Sequence, residues 1–132
     1  MTTKHILIID DDSAMRRLFG GKLAQIGFDV MYSDNGNEGR ELARRFQPDL
    51  ILLDIRLPGT DGFEIASRLH NERQTAHIPI VFLTNEDLSM EAEKNAKELW
   101  VKGYIHKSID LSEFAKRVQG FLEAPTEFPP QA

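Results

Sequence analysis

Apolar runs and helical patterns alternate five times along the chain. The runs span residues 5–9, 28–33, 49–54, 80–83 and 103–107. The first, third and fourth are almost wholly apolar, a pattern typical of parallel strands that are covered on both faces. The second run is more polar and predicts an edge strand. Because a helical pattern follows each run, the sequence predicts five strands, each followed by a helix.

This order predicts an α/β fold: a doubly wound, five-stranded parallel sheet whose crossovers are right-handed. An eight-stranded barrel is excluded because 132 residues are too few to close one. We expect one domain over residues 1–123, followed by a flexible, Pro-rich tail over residues 124–132.

Local composition predicts several element boundaries. Gly27 ends the first helix, residues 57–62 favour a loop, and the fourth helix is predicted from Asp87 to Trp100. Gly20 and Gly21 lie inside the first helix, where a glycine costs about 1 kcal/mol relative to alanine. We therefore expect close packing or local bending at this pair.

The composition is that of a soluble globular domain, and its charge limits the partners. A net charge of −5 disfavours direct binding to nucleic acid and to acidic membranes. No apolar run approaches the ~20 residues of a membrane-spanning helix. The absence of cysteine excludes disulfides, cysteine-ligated zinc and thiol nucleophiles. With no secretory signal pattern at the start, a cytoplasmic location is expected.

Polar side chains follow four of the five predicted strands. They are Asp10, Asp11 and Asp12 after the first strand, Asp54 after the third, Thr84, Asn85 and Glu86 after the fourth, and Lys107 after the fifth. Ligands of open parallel sheets bind at the carboxyl ends of the strands, so these groups are expected to converge at one edge.

Converging carboxylates repel one another and need a cation or protons. Hard oxygen ligands in this number suit Mg²⁺. With Thr84 and Lys107 as donors, the set indicates a site for phosphoryl transfer in which Asp54 is the nucleophile and forms an acyl phosphate.

A purely structural interpretation competes with this one. A lone aspartate at a strand end is more often a helix cap, and Asp12 and Ser13 are both candidate N-caps of the first helix. Capping does not explain why acidic, hydroxyl and ammonium groups follow four strands together, so the functional interpretation is favoured.

The same residues resemble the receiver domain of two-component response regulators, including its stand-alone form. The resemblance covers roughly residues 4–122 and rests on residues 6–12, on residues 48–62, and on Thr84 with residues 103–107. It implies a flavodoxin-like (βα)₅ fold and a phosphorelay role in cytoplasmic signal transduction. It implies a switch rather than an enzyme, with only Mg²⁺-dependent self-phosphorylation and self-dephosphorylation.

The resemblance also implies roles for individual acidic residues. Asp54 would accept a phosphoryl group from the phosphohistidine of a sensor histidine kinase or a phosphotransfer protein. Asp11, Asp54 and the backbone carbonyl of Arg56 would ligate Mg²⁺ directly, and Asp10 would act through water.

The remaining implied roles concern the switch. Lys107 would pair with the phosphate or with Asp54, and Thr84 would hydrogen-bond a phosphoryl oxygen. Tyr104 matches an aromatic residue that changes rotamer when Thr84 is drawn inward. That change would alter a face formed by the fourth helix, fifth strand and fifth helix, where a downstream protein partner would bind.

Four positions depart from the family pattern. Ser108 replaces a proline, Asn85 replaces a small residue, Trp100-Val101 replaces a glycine-alanine pair, and Gly39 stands where alanine is common. Gly39 is expected to lower stability, and Ser108 and Asn85 to affect the last loop and phosphate access. None of the four removes a catalytic group.

Two further hypotheses concern single side chains. Trp100 is interpreted as packing into the core behind the fourth helix, and the alternative is an exposed anchor for a partner. Arg56 and Glu86 are hypothesised to form an ion pair at the mouth of the site that lengthens the life of the acyl phosphate. The four histidines are interpreted as surface residues, with His106 pointing away from the site.

Two other functions compete. A haloacid-dehalogenase-like phosphatase begins with an Asp-x-Asp-x-Thr pattern, of which residues 10–14 match only the aspartates. A receiver-like interaction module that is not phosphorylated is the other alternative, and Ser108 is the feature that favours it.

Overall fold

Five parallel strands form one sheet in the computed structural model, which describes residues 3–123. The strands and helices in chain order are β1 (His5–Ile9), α1 (Ser13–Gln25), β2 (Asp29–Ser33), α2 (Gly36–Phe46), β3 (Leu50–Asp54), β4 (Arg56–Leu57), β5 (Thr60–Asp61), α3 (Gly62–Asn71), β6 (Ile80–Thr84), α4 (Met90–Glu98), β7 (Gly103–His106) and α5 (Leu111–Glu123). The sheet order is β2-β1-β3-β6-β7, so β2 is an edge strand as predicted. The predicted tail lies outside the described residues.

Helices cover both faces of the sheet, which confirms the predicted doubly wound fold. Alternate residues of β1 and β3 pack on opposite sides, as strand geometry requires. Leu7 and Leu53 join a core with α2, α3 and α4, whereas Ile8 and Leu52 join a second core with α1 and α5. All residues of β3 and β6 are buried, which explains their continuous apolar character.

The segment predicted as a loop contains a small antiparallel ribbon. β4 pairs with β5, with Leu57 opposite Thr60. Gly59 closes the turn at a φ of +74°, a left-handed conformation that glycine adopts without steric cost. Two-residue strands have no periodicity, so the sequence pattern did not reveal them.

Helix α4 is shorter than predicted. Its first residue is Met90 because Ser89 is the N-cap, its Oγ accepting a hydrogen bond of 3.1 Å from the Ala92 N–H. Residues 85–89 are therefore a loop that leads from β6 into the helix. This loop lies directly beyond Thr84, so it adjoins the candidate site.

The core interpretation of Trp100 was wrong. The residue is 66% exposed, and its ring stacks on the His70 ring with centroids 5.8 Å apart. Its φ of +63° is the left-handed conformation in which helices commonly end, usually at glycine. The turn leaves Trp100 outside and buries Val101, which is 3% exposed. The role of Trp100 as a partner anchor stays a prediction.

Gly39 was expected to lower stability, but its close packing provides a reason for glycine at this position. A Cβ on Gly39 would lie 2.5 Å from Ile9 Cδ1 in the core. Of the pair in α1, Gly20 is similarly close to the Tyr32 ring, whereas Gly21 faces open space. Only one glycine of that pair therefore has a packing reason.

Gly39→Ala is expected to lower the free energy of unfolding by about 1–3 kcal/mol, the usual effect of overpacking a core. Gly21→Ala is the matched control and should raise it by about 0.5–1 kcal/mol, because an exposed helical alanine replaces glycine without a clash. Urea unfolding measures both, and adding Ile9→Val to Gly39→Ala should recover part of the loss. Equal shifts for the two alanine variants would contradict this account.

Candidate metal and phosphoryl site

The sheet order brings the polar strand ends together. β1, β3, β6 and β7 are consecutive in the sheet and all parallel, so their carboxyl ends form one edge. At this edge lie Asp10 after β1, Asp54 at the end of β3, Thr84 at the end of β6 and Lys107 after β7.

Three carboxylates form an acidic cluster at this edge. One oxygen each of Asp10, Asp11 and Asp54 lies within 4.8 Å of the other two. Asp10 is fully buried and Asp54 is 5% exposed, whereas Asp11 faces solvent. The cluster is therefore anchored in the sheet and reachable from outside along the side of Asp11.

Lys107 lies between the two buried carboxylates. Its Nζ is 2.8 Å from Asp10 Oδ2 and 3.3 Å from Asp54 Oδ2, and the side chain is buried. Burial opposes the charge of the ammonium, but the hydrogen bond and charge of Asp10, with those of Asp54, raise the pKa of Lys107 above its usual value. Lys107 is therefore charged throughout the physiological pH range.

Asp54 retains protons more strongly than an ordinary aspartate. Burial and the neighbouring charge of Asp10 raise its pKa to about 6, against the opposing effects of Lys107 and of the Arg56 N–H, which donates to Asp54 Oδ1 at 3.2 Å. Three carboxylates face a single ammonium, so the local charge is not balanced. This donor set suits a divalent cation with oxygen ligands.

Hydrogen bonds hold both the side chain and the backbone carbonyl of Asp10. Asp10 Oδ1 accepts from the Asp12 N–H at 2.9 Å, and Arg16 Nη1 donates to the Asp10 carbonyl at 2.6 Å. Asp12 itself caps α1, since its carboxylate accepts from the N–H groups of Ala14 and Met15. Arg16 was not predicted from the sequence, where it is marked only as a basic residue in the first turns of a helix that follows three aspartates.

Thr84 points its hydroxyl into the loop that follows it. Its Oγ1 donates to the Glu86 carbonyl at 2.9 Å and accepts from the Glu86 N–H at 3.0 Å. Tyr104 is half-buried against the core shared with α2, α3 and α4. Thr84 therefore stabilises residues 84–86 as a turn.

Arg56 and Glu86 meet at the rim of the site. Arg56 Nη2 lies 2.8 Å from Glu86 Oε1, so the ion pair expected between them exists. Both side chains are largely exposed, and exposed pairs stabilise proteins very little. Asn85 is also exposed. The pair thus contributes little to the fold, and it lies on the loops that directly follow Asp54 and Thr84.

The approach of α3 to the site requires glycine at its first position. A Cβ on Gly62 would lie 2.7 Å from the Asp54 carbonyl oxygen, and the Gly62 N–H donates to the Ile55 carbonyl at 2.6 Å. Backbone atoms cannot yield as a flexible side chain does. Gly62 thus supports the backbone of Asp54, a role that the sequence analysis did not identify.

Comparison with known sequences settles the family. The profile of the response regulator receiver domain matches residues 6–119, most of the chain. The chain belongs to the receiver domain family. Receiver domains are phosphorylation-dependent signalling switches of two-component systems rather than turnover enzymes, and they generally bind Mg²⁺ at an acidic pocket. The phosphatase and the unphosphorylated module are not favoured.

The curated relatives differ in how much of their length this chain covers. The DNA-binding dual master transcriptional regulator RpaA of Synechocystis is 37% identical over 131 residues, which are 96% of this chain and 52% of RpaA. The polar-differentiation response regulator DivK of Brucella ovis is 29% identical over 120 residues, 91% of this chain and 97% of DivK. The chain thus spans about half the length of RpaA and nearly all of DivK.

Solved receiver structures share the fold. The chemotaxis response regulator CheY4 of Vibrio cholerae superposes with a TM-score of 0.82 at 26% identity, covering 89% of this chain and 98% of CheY4. The phosphorylated cyanobacterial phytochrome response regulator RcpA gives 0.76 at 28% identity, covering 98% of this chain and 100% of RcpA. Within residues 3–123, no helix of this receiver is long and apolar enough to cross a membrane.

Mg²⁺ is expected to stabilise this receiver strongly at pH 8 and weakly at pH 5. The raised pKa of Asp54 means that its ionised form destabilises the metal-free fold increasingly as pH rises from about 4 to about 6. A cation offsets that cost only where Asp54 is ionised, so protons compete with Mg²⁺ below about pH 6. Thermal unfolding with Mg²⁺ or with chelator measures the shift in Tm, and equal shifts at both pH values would contradict the expectation.

Proposed function

We propose that this receiver accepts a phosphoryl group on Asp54 from the phosphohistidine of a sensor histidine kinase or a phosphotransfer protein. The observation that carries the proposal is the surroundings of Asp54. Its carboxylate lies at a strand end, with two further carboxylates within 4.8 Å and a buried ammonium at 3.3 Å. Such a site combines a nucleophile, carboxylates that can hold a divalent cation, and an ammonium that neutralises phosphoryl charge.

The metal ligands of the proposal are residues of the acidic cluster. Asp11 and Asp54 would ligate Mg²⁺ directly, together with the backbone carbonyl of Arg56. Asp10 would act through water, because its two oxygens are already engaged by Lys107 and the Asp12 N–H. When bound, Mg²⁺ supplies positive charge that offsets the charge of the phosphoryl oxygens.

The transfer itself needs positioning more than acid or base catalysis. A carboxylate oxygen of Asp54 attacks phosphorus, and the P–N bond to the donor imidazole breaks, leaving its electron pair on the imidazole nitrogen. Lys107 holds Asp54 from one side and offers its ammonium to the incoming oxygens. Water later attacks the same phosphorus, the P–O bond to Asp54 breaks, and phosphate leaves. Self-phosphorylation from a small acyl phosphate would follow the same course.

The switch in this proposal begins at Thr84. When its hydroxyl donates to a phosphoryl oxygen, the hydrogen bond that it donates to the Glu86 carbonyl is lost. Residues 85–89 are then free to rearrange ahead of α4, and Tyr104 changes its packing. The output surface would be the face formed by α4, β7 and α5, to which a downstream protein binds.

The proposal also covers the bounds of the domain, its cellular location and the kind of partner that it contacts. The receiver domain would occupy residues 1–123, act in the cytoplasm and signal through protein contacts rather than by binding DNA itself. A cytoplasmic kinase domain or phosphotransfer protein would be its phosphoryl source. The acidic net charge of −5 supports a protein partner over a nucleic acid.

Intact-mass analysis tests the proposal. After incubation with acetyl phosphate and Mg²⁺, the chain should gain the mass of one phosphoryl group, and chelator should prevent the gain. A histidine kinase supplied with ATP serves as a second donor. No gain from either donor, in protein that is folded and binds Mg²⁺, would overturn the proposal.

The exposed ion pair is expected to prolong the acyl phosphate. Arg56→Ala should speed dephosphorylation by a few-fold, because the Arg56–Glu86 pair restricts the approach of the attacking water. Arg68→Ala is the matched control, since it breaks a 2.8 Å exposed pair with Glu64 on α3. The decay of phosphorylated protein, followed by mass, measures both rates. Identical rates for the two variants would exclude a role for Arg56.

A further inference from the structure

The turn that carries Lys107 contains a contact between His106 and Ser108. The Ile109 N–H donates to the His106 carbonyl at 3.1 Å and closes a turn over residues 106–109. Inside it, His106 Nδ1 accepts from the Ser108 N–H at 3.2 Å and lies 2.8 Å from Ser108 Oγ. A backbone N–H only donates, so Nδ1 is the acceptor and the hydroxyl is a second donor to it.

The contact lies on the solvent side of the turn. Ser108 is exposed and His106 is half-buried, whereas Ile109, the last residue of the turn, packs against the core shared with α1 and α5. The neighbouring Lys107 is buried, and its backbone N–H donates to the Thr84 carbonyl at 2.7 Å. From there a flexible four-carbon side chain must reach Asp10 and Asp54. Fixing the backbone at Lys107 and Ser108 therefore limits where the ammonium lies.

We propose that His106 is a positioning residue for Lys107: its Nδ1 fixes the 106–109 turn through Ser108 and so aims the ammonium at Asp10 and Asp54. The proposal rests on the proposed function of Asp54 and adds a residue that touches neither metal nor phosphate. Serine at position 108 supplies both donors of this contact. Proline has neither an N–H nor a hydroxyl, so proline at position 108 would remove both hydrogen bonds to His106 Nδ1.

Three variants test the proposal. His106→Leu removes the acceptor, His106→Asn keeps an acceptor close to the position of Nδ1, and His77→Leu is the control at an exposed loop histidine. The rate of phosphorylation by acetyl phosphate should fall about tenfold in His106→Leu, as expected for a misplaced catalytic group. It should recover in His106→Asn and stay unchanged in His77→Leu. Mg²⁺ affinity should be equal in all four proteins.

A second measurement does not depend on phosphorylation. Lys107 of the native chain should resist acetylation by acetic anhydride because its ammonium is buried in two ion pairs. In His106→Leu, but not in His106→Asn, acetylation of Lys107 should rise several-fold by peptide mass mapping. If the native chain takes no phosphate, the proposed function fails while this labelling still decides the positioning role. Unchanged labelling and an unchanged rate in His106→Leu would overturn the inference.

Discussion

Replacing Asp54 with asparagine is expected to abolish phosphorylation completely and, in metal-free protein, to raise the Tm. The first effect follows because an amide is not a nucleophile toward phosphorus under these conditions. The second follows from the raised pKa of Asp54: at neutral pH its ionised form destabilises the fold, and asparagine removes that charge. The asparagine side chain retains an oxygen that can accept from the Arg56 N–H.

Asp12→Asn is the matched control for this experiment. Asp12 follows the same strand as Asp10 and Asp11, carries the same charge as Asp54 and caps α1, and asparagine caps helices as well as aspartate does. Phosphorylation should therefore persist in Asp12→Asn and be lost only in Asp54→Asn. Intact mass and thermal unfolding give both readouts. Phosphorylation of Asp54→Asn at the native rate would contradict the assignment of the nucleophile.

Lys107→Met is expected to have the largest effect on stability. It leaves Asp10 and Asp54 buried without their counter-ion, and breaking a buried pair from one side costs about 3–5 kcal/mol. The loss should be greater at pH 8 than at pH 5, because Asp54, whose pKa is raised to about 6, takes up a proton in acid and no longer repels Asp10. Mg²⁺ should restore part of the stability, since it replaces the missing positive charge.

Lys116→Met is the control for Lys107→Met, because Lys116 is largely exposed and weakly paired with Glu113 at 3.4 Å. Urea unfolding at both pH values, with and without Mg²⁺, measures the differences. We expect Lys116→Met to stay within about 0.5 kcal/mol of the native chain, as surface substitutions do. A similarly small effect in Lys107→Met would mean that the ammonium does not compensate the two carboxylates.

The fold followed from the sequence because its strongest signals are long and periodic. The apolar runs at β1, β3 and β6 are buried on both faces, and helical spacing follows each of them. Once the strands are parallel, their carboxyl ends must share one edge. The meeting of Asp10, Asp54 and Lys107 was therefore predictable from the pattern alone.

The features that the sequence did not predict depend on single local contacts. One hydrogen bond, from the Ala92 N–H to Ser89, decides where α4 starts. The left-handed backbone conformation of Trp100 itself decides where its side chain lies. Neither produces a periodic signal, so the helix was predicted too long and the tryptophan was placed inside. The close packing of Gly39 could not be predicted, because its neighbour in the fold, Ile9, lies far away in the sequence.

The residues that hold the charged groups of the site in place could not be predicted from the sequence for the same reason. Arg16 reaches back to the Asp10 carbonyl, and Ser108 turns toward His106, so each acts through geometry rather than through residue type. Residue type indicated the groups that carry charge at the site. The groups that hold them in place are identified only by their three-dimensional contacts.

Mapping the phosphoryl group tests the central claim most directly. The receiver is incubated with acetyl phosphate and Mg²⁺ and reduced with borohydride, which converts an aspartyl phosphate into homoserine, and its peptides are then sequenced by mass spectrometry. The account predicts homoserine at position 54 alone, and none when chelator is present. Homoserine at position 10 or 11, or an unreduced phosphate on a serine or threonine, would contradict it.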